Sequence, residues 1–304
     1  MSSARTVLPG ARAVLGVVVV ATLVLTGCAA TSGLDADLTD DWAALAPPVP
    51  FTPAAATCHE ADFTEVVSLT AYQPVDCAGA HRVETAHVGT FPADRPRPPT
   101  GSAQLRTAFA DCDTRATGYV GHEWRGARLR LGVAIPSPDG WSGGARWYRC
   151  DLTEVTTVEA GAGTVLRTGS LRGALRGPSP LKLGCQQAAT GRGGGVSTLS
   201  PVSCDKRHNA EYVGVWAAPD RPYPARDAEW APFYTGCRTV LARYVGVPDD
   251  IRLTVRSGVV VRPPAAGRWR AGDRGVRCYL WLSHRTTTGS LAGAGPAGLP
   301  VRTG

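Results

Sequence analysis

From Ala13 to Leu25 the chain is apolar at every position except Gly16 and Thr22. At ~1.5 Å per residue a helix of that length reaches only ~20 Å, short of the ~30 Å hydrocarbon core of a bilayer. With Arg5 and Arg12 ahead of it, the run has the layout of a secretory signal rather than of a membrane span. Residues 29–50 then lose the pattern. Leu38, Trp42 and Leu45 make at most one weak helical turn among Asp35, Asp37, Asp40 and Asp41, and Pro47, Pro48 and Pro50 close the stretch. Its Pro-rich end predicts an extended, semi-rigid tether.

Beyond the tether two periodicities alternate. Leu105, Phe109, Cys112, Ala116 and Tyr119 recur at steps of three and four, as do Trp230, Tyr234, Cys237, Leu241 and Tyr244. Each set predicts a helix with one buried stripe that carries a cysteine inward. The other apolar runs are short, β-rich and bounded by Pro and Gly. They are Val66, Val67 and Leu69, then 83–91, 129–135 and 147–155, and later 212–216, 251–261 and 276–282. These predict strands, and the glycines at 191 and 193–195 predict a hairpin tip. The expected fold class is α+β, with two tandem homologous small domains. Each has an antiparallel sheet of about four strands, one packed helix and two disulfides.

The tandem arrangement rests on recurring residues. The cysteines other than Cys28 fall into two sets, Cys58, Cys77, Cys112, Cys150 and Cys185, Cys204, Cys237, Cys278, whose first gap is 19 residues in both. Pro74-Val75-x-Cys77-x-x-x-His81-x-x-Glu84 returns as Pro201-Val202-x-Cys204-x-x-x-His208-x-x-Glu211. Tyr119-Val120-Gly121 returns as Tyr244-Val245-Gly246, and Trp141-x-x-Gly144-x-Arg146 as Trp269-x-x-Gly272-x-Arg274. Thr168-Gly169-Ser170-Leu171 returns as Thr288-Gly289-Ser290-Leu291. The expected organisation is a signal at 1–27, an anchor and tether at 28–54, copies at 55–175 and 182–293, and a flexible tail at 294–304.

Composition narrows the class. With 36 Gly and 24 Pro in 304 residues, a coiled coil or long helical bundle is excluded. Hydrophobic residues at 43% and eight Trp exclude a wholly disordered chain. The formal charge is +7, and every basic residue except Lys182 and Lys206 is arginine. Without Arg5 and Arg12 it falls to +5, a modest excess that gives no reason to expect a nucleic-acid partner.

Nine cysteines leave one over once two sets of four are paired. In an exported protein, disulfides are the expected use of the paired ones. Four cysteines admit three pairings, and the sequence does not choose among them. We favour first-with-second and third-with-fourth, with the others open. The ninth, Cys28, ends Leu25-Thr26-Gly27-Cys28, which resembles the lipobox of bacterial lipoproteins. That resemblance implies a diacylglyceryl group on Cys28, cleavage before it and acylation (palmitate among the chains) of the new N-terminus. The expected location is the outer face of the cell membrane, held by lipid.

The recurring unit resembles the septum-formation domain family of actinobacterial membrane proteins and lipoproteins. The Pro-Val-x-Cys-x-x-x-His-x-x-Glu segments, the Tyr-Val-Gly segments and the Trp-x-x-Gly-x-Arg segments carry it. Members often open with Gly-x-Cys-Phe, whereas His59 follows Cys58 and Gln186 follows Cys185 here. The resemblance implies a link to cell division and an envelope or division protein as partner. It implies no reaction and no cofactor.

Two constellations are candidates for chemistry. His81 with Glu84, and His208 with Glu211, can orient one another for base catalysis or offer ligands to a small molecule or metal. Their other reading is structural, with each His fixing the turn after its cysteine. Trp141 with Arg146, and Trp269 with Arg274, suit glycan or peptide binding, or cap the core where the chain enters its last strand. Gly140-Trp141-Ser142-Gly143-Gly144 formally matches a nucleophile elbow, but the second copy has Arg270 in place of Ser142. A non-enzymatic binding protein without metal or cofactor is therefore the expectation. A small-ligand or metal binder and a cell-wall enzyme are the alternatives.

Overall fold

The computed structural model describes residues 49–301. Cys28, the signal at 1–27 and the tether up to residue 48 lie outside the described residues, as do 302–304. Among the described residues no helix is long and apolar enough to cross a membrane.

The fold is α+β, built on two sheets. The first has six strands, β1 (Thr57–His59), β2 (Val66–Val67), β3 (Pro74–Val75), β4 (Val83–Thr90), β5 (Leu129–Pro136) and β6 (Trp147–Glu154), in the order β2-β5-β6-β4-β1-β3. The second has five, β7 (Cys185–Thr190), β8 (Val196–Pro201), β9 (Ala210–Ala217), β10 (Gly258–Arg262) and β11 (Gly275–Trp281), in the order β10-β11-β9-β7-β8. Apart from β2, the two sheets have the same connectivity, strand for strand. All pairings are antiparallel except β2 with β5. Both sheets exceed the four strands expected. In the first, β1 and β3, of three and two residues, are too short to show a period of two. In the second, β8 buries only Leu199 and so lacks an apolar alternation.

Helix α1 (Ala103–Val120) crosses one face of the first sheet. Ser102 caps its N-terminus by accepting from the Leu105 amide at 3.3 Å, and Gly121 ends it in the left-handed region at φ 87°, as helix stops favour. Its stripe buries Phe109, Cys112, Ala116 and Val120 against Leu129, Leu131, Cys150 and Leu152 of the sheet. The short helix α2 (Pro138–Ser142) leads into β6.

Helix α3 (Ala231–Val245) does the same for the second sheet, with one shift in its stripe. Tyr234 is half exposed and Phe233 is buried in its stead. The cause is Gly236, where any Cβ would overlap the Trp216 indole. Trp216 lies edge-on to Phe233 at 5.4 Å, so the aromatic pair sets the rotation of the helix. The stretch 251–261, expected as one strand, divides into a turn of helix α4 (Ile251–Thr254) and β10. Asp250 caps α4 through the Arg252 amide. Helix α5 (Ala266–Arg270) precedes β11, and α6 (Gly295–Gly298) lies in the segment expected as a flexible tail. Leu299 beyond it is 1% exposed in the second core rather than free.

Four disulfides join Cys58 to Cys77, Cys112 to Cys150, Cys185 to Cys204 and Cys237 to Cys278. The first and third close the opening strands of each sheet. The others pin the helix to the last strand.

Candidate functional site

The two His/Glu segments lie where the chain after each last strand returns to its sheet. His81 is fully buried and its Nδ1 lies 2.9 Å from the Gly79 carbonyl oxygen. Backbone hydrogen bonds join His81 and Arg167 in both directions. Three residues on, Glu84, the second residue of strand β4, is also fully buried. Its carboxylate accepts from the Tyr119 hydroxyl at 2.5 Å, the Ser170 hydroxyl at 2.5 Å and the Leu171 amide at 2.7 Å. The Arg167 guanidinium stands 3.8 Å away. Burial, then the hydrogen bond to Glu84, raise the Tyr119 pKa, so the phenol remains a donor.

The second sheet repeats the arrangement. His208 Nδ1 lies 2.8 Å from the Lys206 carbonyl oxygen, and His208 exchanges backbone hydrogen bonds with Thr287. Glu211 accepts from Tyr244 at 2.7 Å, Ser290 at 2.5 Å and the Leu291 amide at 2.9 Å. A buried carboxylate needs such donors, since ionising it without them is costly. Each glutamate thus latches the Thr-Gly-Ser-Leu segment and the helix to one strand. Nε2 of His81 and of His208 is buried without a hydrogen bond among the described residues, and the former is 3.8 Å from Glu84.

The Trp/Arg pairs stack. The Arg146 guanidinium covers Trp141 at 4.4 Å and donates to the Trp141 and Ala145 carbonyls at 2.7 and 3.0 Å. Arg274 covers Trp269 at 4.6 Å, donates to the Trp269 carbonyl and pairs with Asp220 at 2.6 Å. Both indoles are buried, at 7% and 1% exposure, and each stack braces the turn before the final strand. Ser142 is the last residue of α2, not part of a strand-to-helix turn.

The sequence model described as "Septum formation" matches residues 55–278, most of the chain, with the whole first sheet and all of the second except the end of β11. The chain belongs to the septum formation family. No curated protein and no solved structure matches it. The septum formation family is not a known enzyme family.

In this septum formation protein, two groups of side chains have the spacing of metal ligands, Cys58 with Cys77 and Glu84, and Cys185 with His208 and Glu211. Their sulfurs are in disulfides and lack the thiolate that makes cysteine a ligand. What is left in each group is too few donors for a closed site.

Sequence reasoning missed two buried charged clusters. On the back of the first sheet, Asp151 accepts from Thr85 at 2.8 Å and from Arg149 at 2.6 Å, and His59 Nε2 lies 3.3 Å from each of those donors. The second cluster joins the sheets. Arg125 donates to Asp113 at 2.7 Å, Glu123 at 3.2 Å and Asp273 at 2.8 Å. Burial opposes its charge, but the three carboxylates outweigh burial and raise its pKa. Around it, Arg277 donates to the Arg125 carbonyl and Arg268 to the Leu131 carbonyl, at 2.8 and 3.0 Å. Arg125 and Asp273 fall outside every recurring motif, so no signal short of the fold could pair them.

Proposed function

We propose that this septum formation protein is exported, anchored by lipid at Cys28 and non-catalytic, and that it binds an envelope or division protein. The carrying observation is the pairing of all eight described cysteines into disulfides. That usage belongs to an oxidising compartment and agrees with the apolar run ending at Cys28. The family supplies the link to septation. Both His/Glu segments are occupied in holding the fold, which supports binding over catalysis. We also infer that the two halves arose by internal duplication, supported by the shared strand order and the two equivalent glutamate latches.

Mass spectrometry of the mature N-terminus tests the anchor: a diacylated Cys28 is expected, and an unmodified Cys28 or a start beyond it overturns that part. Cross-linking in dividing cells followed by capture from solubilised membranes tests the partner. Enrichment at septa with a specific envelope protein is expected. Uniform envelope staining with no specific partner overturns the link to septation.

A further inference from the structure

A cleft of about 340 Å³ opens between the first sheet and helix α5 of the second, within the range of small-ligand pockets. Its apolar wall comes from Phe63, Leu105, Phe109, Val133 and Ile135. Its polar groups are mostly cationic: Arg97, Arg130 and Arg268 face one carboxylate, that of the exposed Glu65. A shallower groove continues it past Arg106, Arg221 and Arg270.

The wall is an open sheet edge. Odd-numbered residues of β5 turn their backbone groups away from β6, as shown by the Ile135 amide donating to the Glu65 carbonyl. Beyond that point β2 does not continue, and arginines of β11 and α5 take over. Arg277 caps the Leu129 carbonyl at 3.4 Å and Arg268 the Leu131 carbonyl at 3.0 Å. The remaining free edge, around Val133, is too short for an added peptide strand, so a compact ligand fits better than a polypeptide.

The charges argue for an anion. Arg97 uses its Nε on the Pro136 carbonyl at 3.0 Å and has no ion pair among the described residues. Arg130 is half-buried, and among the described residues its guanidinium has neither a hydrogen bond nor an ion pair. Arg268 has only Asp273, at 3.4 Å, and that carboxylate is already held by Arg125. Burial, with Arg277 and Arg130 nearby, lowers the Arg268 pKa despite Asp273. Cations gathered beside an apolar wall and short of counter-charge are stabilised by an anion whose body displaces water.

We propose that this cleft binds a small amphiphilic anion, with a carboxylate or phosphate head on Arg130 and Arg268 and an apolar body against Phe63, Phe109 and Ile135. The site goes beyond the reading above and does not depend on it, because binding is measured on purified protein and location in cells.

The test is calorimetry on the full chain with four probes: octyl phosphate, octanoate, 1-octanol and inorganic phosphate. At least one of the first two is expected to bind about tenfold more tightly than octanol or phosphate, the worth of one charge-assisted hydrogen bond. Preference for octyl phosphate assigns a phosphate-headed ligand, and preference for octanoate a carboxylate-headed one. Arg130→Gln should weaken binding about tenfold without lowering the melting temperature, since nothing in the fold relies on that guanidinium. Ala265→Trp, at the exposed rim, should abolish binding by filling the mouth. The proposal is overturned if octanol binds as well as the anions, if no probe binds, or if folded Arg130→Gln retains full affinity.

Discussion

The Arg125 guanidinium donates to the Asp273 carboxylate at 2.8 Å across 148 residues of chain, with side-chain exposures of 4% and 3%. It is the most deeply buried ion pair between the two sheets, and it makes them a joined unit rather than beads on a linker. Removing one partner of such a pair strands the other in low dielectric, at a cost of about 3–5 kcal/mol. Arg125→Met should cost that much, because Asp273 would keep only Arg268 and the Gly275 amide. Asp273→Asn should cost less, since Asp113 and Glu123 still face Arg125. The double change Arg125→Met with Asp273→Leu should recover part of the loss. Urea unfolding of the three variants checks this, and single variants within about 0.5 kcal/mol of the parent, as surface changes are, would sink it.

The glutamate latches predict matched effects in the two halves. Tyr119→Phe and Tyr244→Phe each withdraw one donor from a buried carboxylate, which should cost about 1–3 kcal/mol. Ser170→Ala and Ser290→Ala should fall in the same range. Thermal melts with each variant suffice. If all four melt with the parent, the carboxylates are satisfied in some other way and the latch is not a fold element.

How much of this could be read from the chain depends on range. The α1 stripe was legible because Leu105 to Tyr119 repeats at a local period, and the hairpin tip because four glycines cluster within residues 191–195. The α3 stripe was misjudged by one residue because Gly236 admits Trp216 from strand β9, a tertiary contact without local trace. The recurrence of Tyr119, Glu84 and Ser170 as Tyr244, Glu211 and Ser290 was visible. That they converge was not, since Glu84 and Ser170 are 86 residues apart. The cleft and the Arg125 cluster depend on how two sheets dock, which no spacing encodes.

His59 predicts an acid-sensitive step confined to the first sheet. Burial, then the Arg149 charge, lower its pKa from the ordinary 6.5, and Asp151 offsets this only in part. The unfolded chain therefore takes up the proton at a higher pH than the folded one. The stabilising contribution is complete above about pH 6.5 and is lost as pH falls through the lower folded pKa. His59→Gln, the residue found after the matching Cys185, should flatten the dependence of unfolding midpoint on pH below 6.5. An unchanged slope in the variant would assign the acid sensitivity to other groups.

The disulfides should differ in the order of their reduction, because exchange requires a thiolate to reach one of the two sulfurs. Cys112, Cys150, Cys237 and Cys278 are all fully buried beneath helices α1 and α3. Cys77 and Cys204 are half-buried, each at the turn before its histidine. Mild reductant with an alkylating agent, under native conditions, should therefore label the Cys58–Cys77 and Cys185–Cys204 pairs first. The helix-to-strand pairs should resist until the protein unfolds. Stability should follow loop length: chain entropy assigns about 3 kcal/mol to a bridge closing some 20 residues and about 4 kcal/mol to one closing some 40. Replacing Cys112 and Cys150 together by Ala should thus cost more than replacing Cys58 and Cys77, and it also detaches α1 from β6. Peptide mapping of the labelled cysteines over time decides the order. Early labelling of Cys112 or Cys237 would mean that the helices lift from their sheets well below the global unfolding free energy.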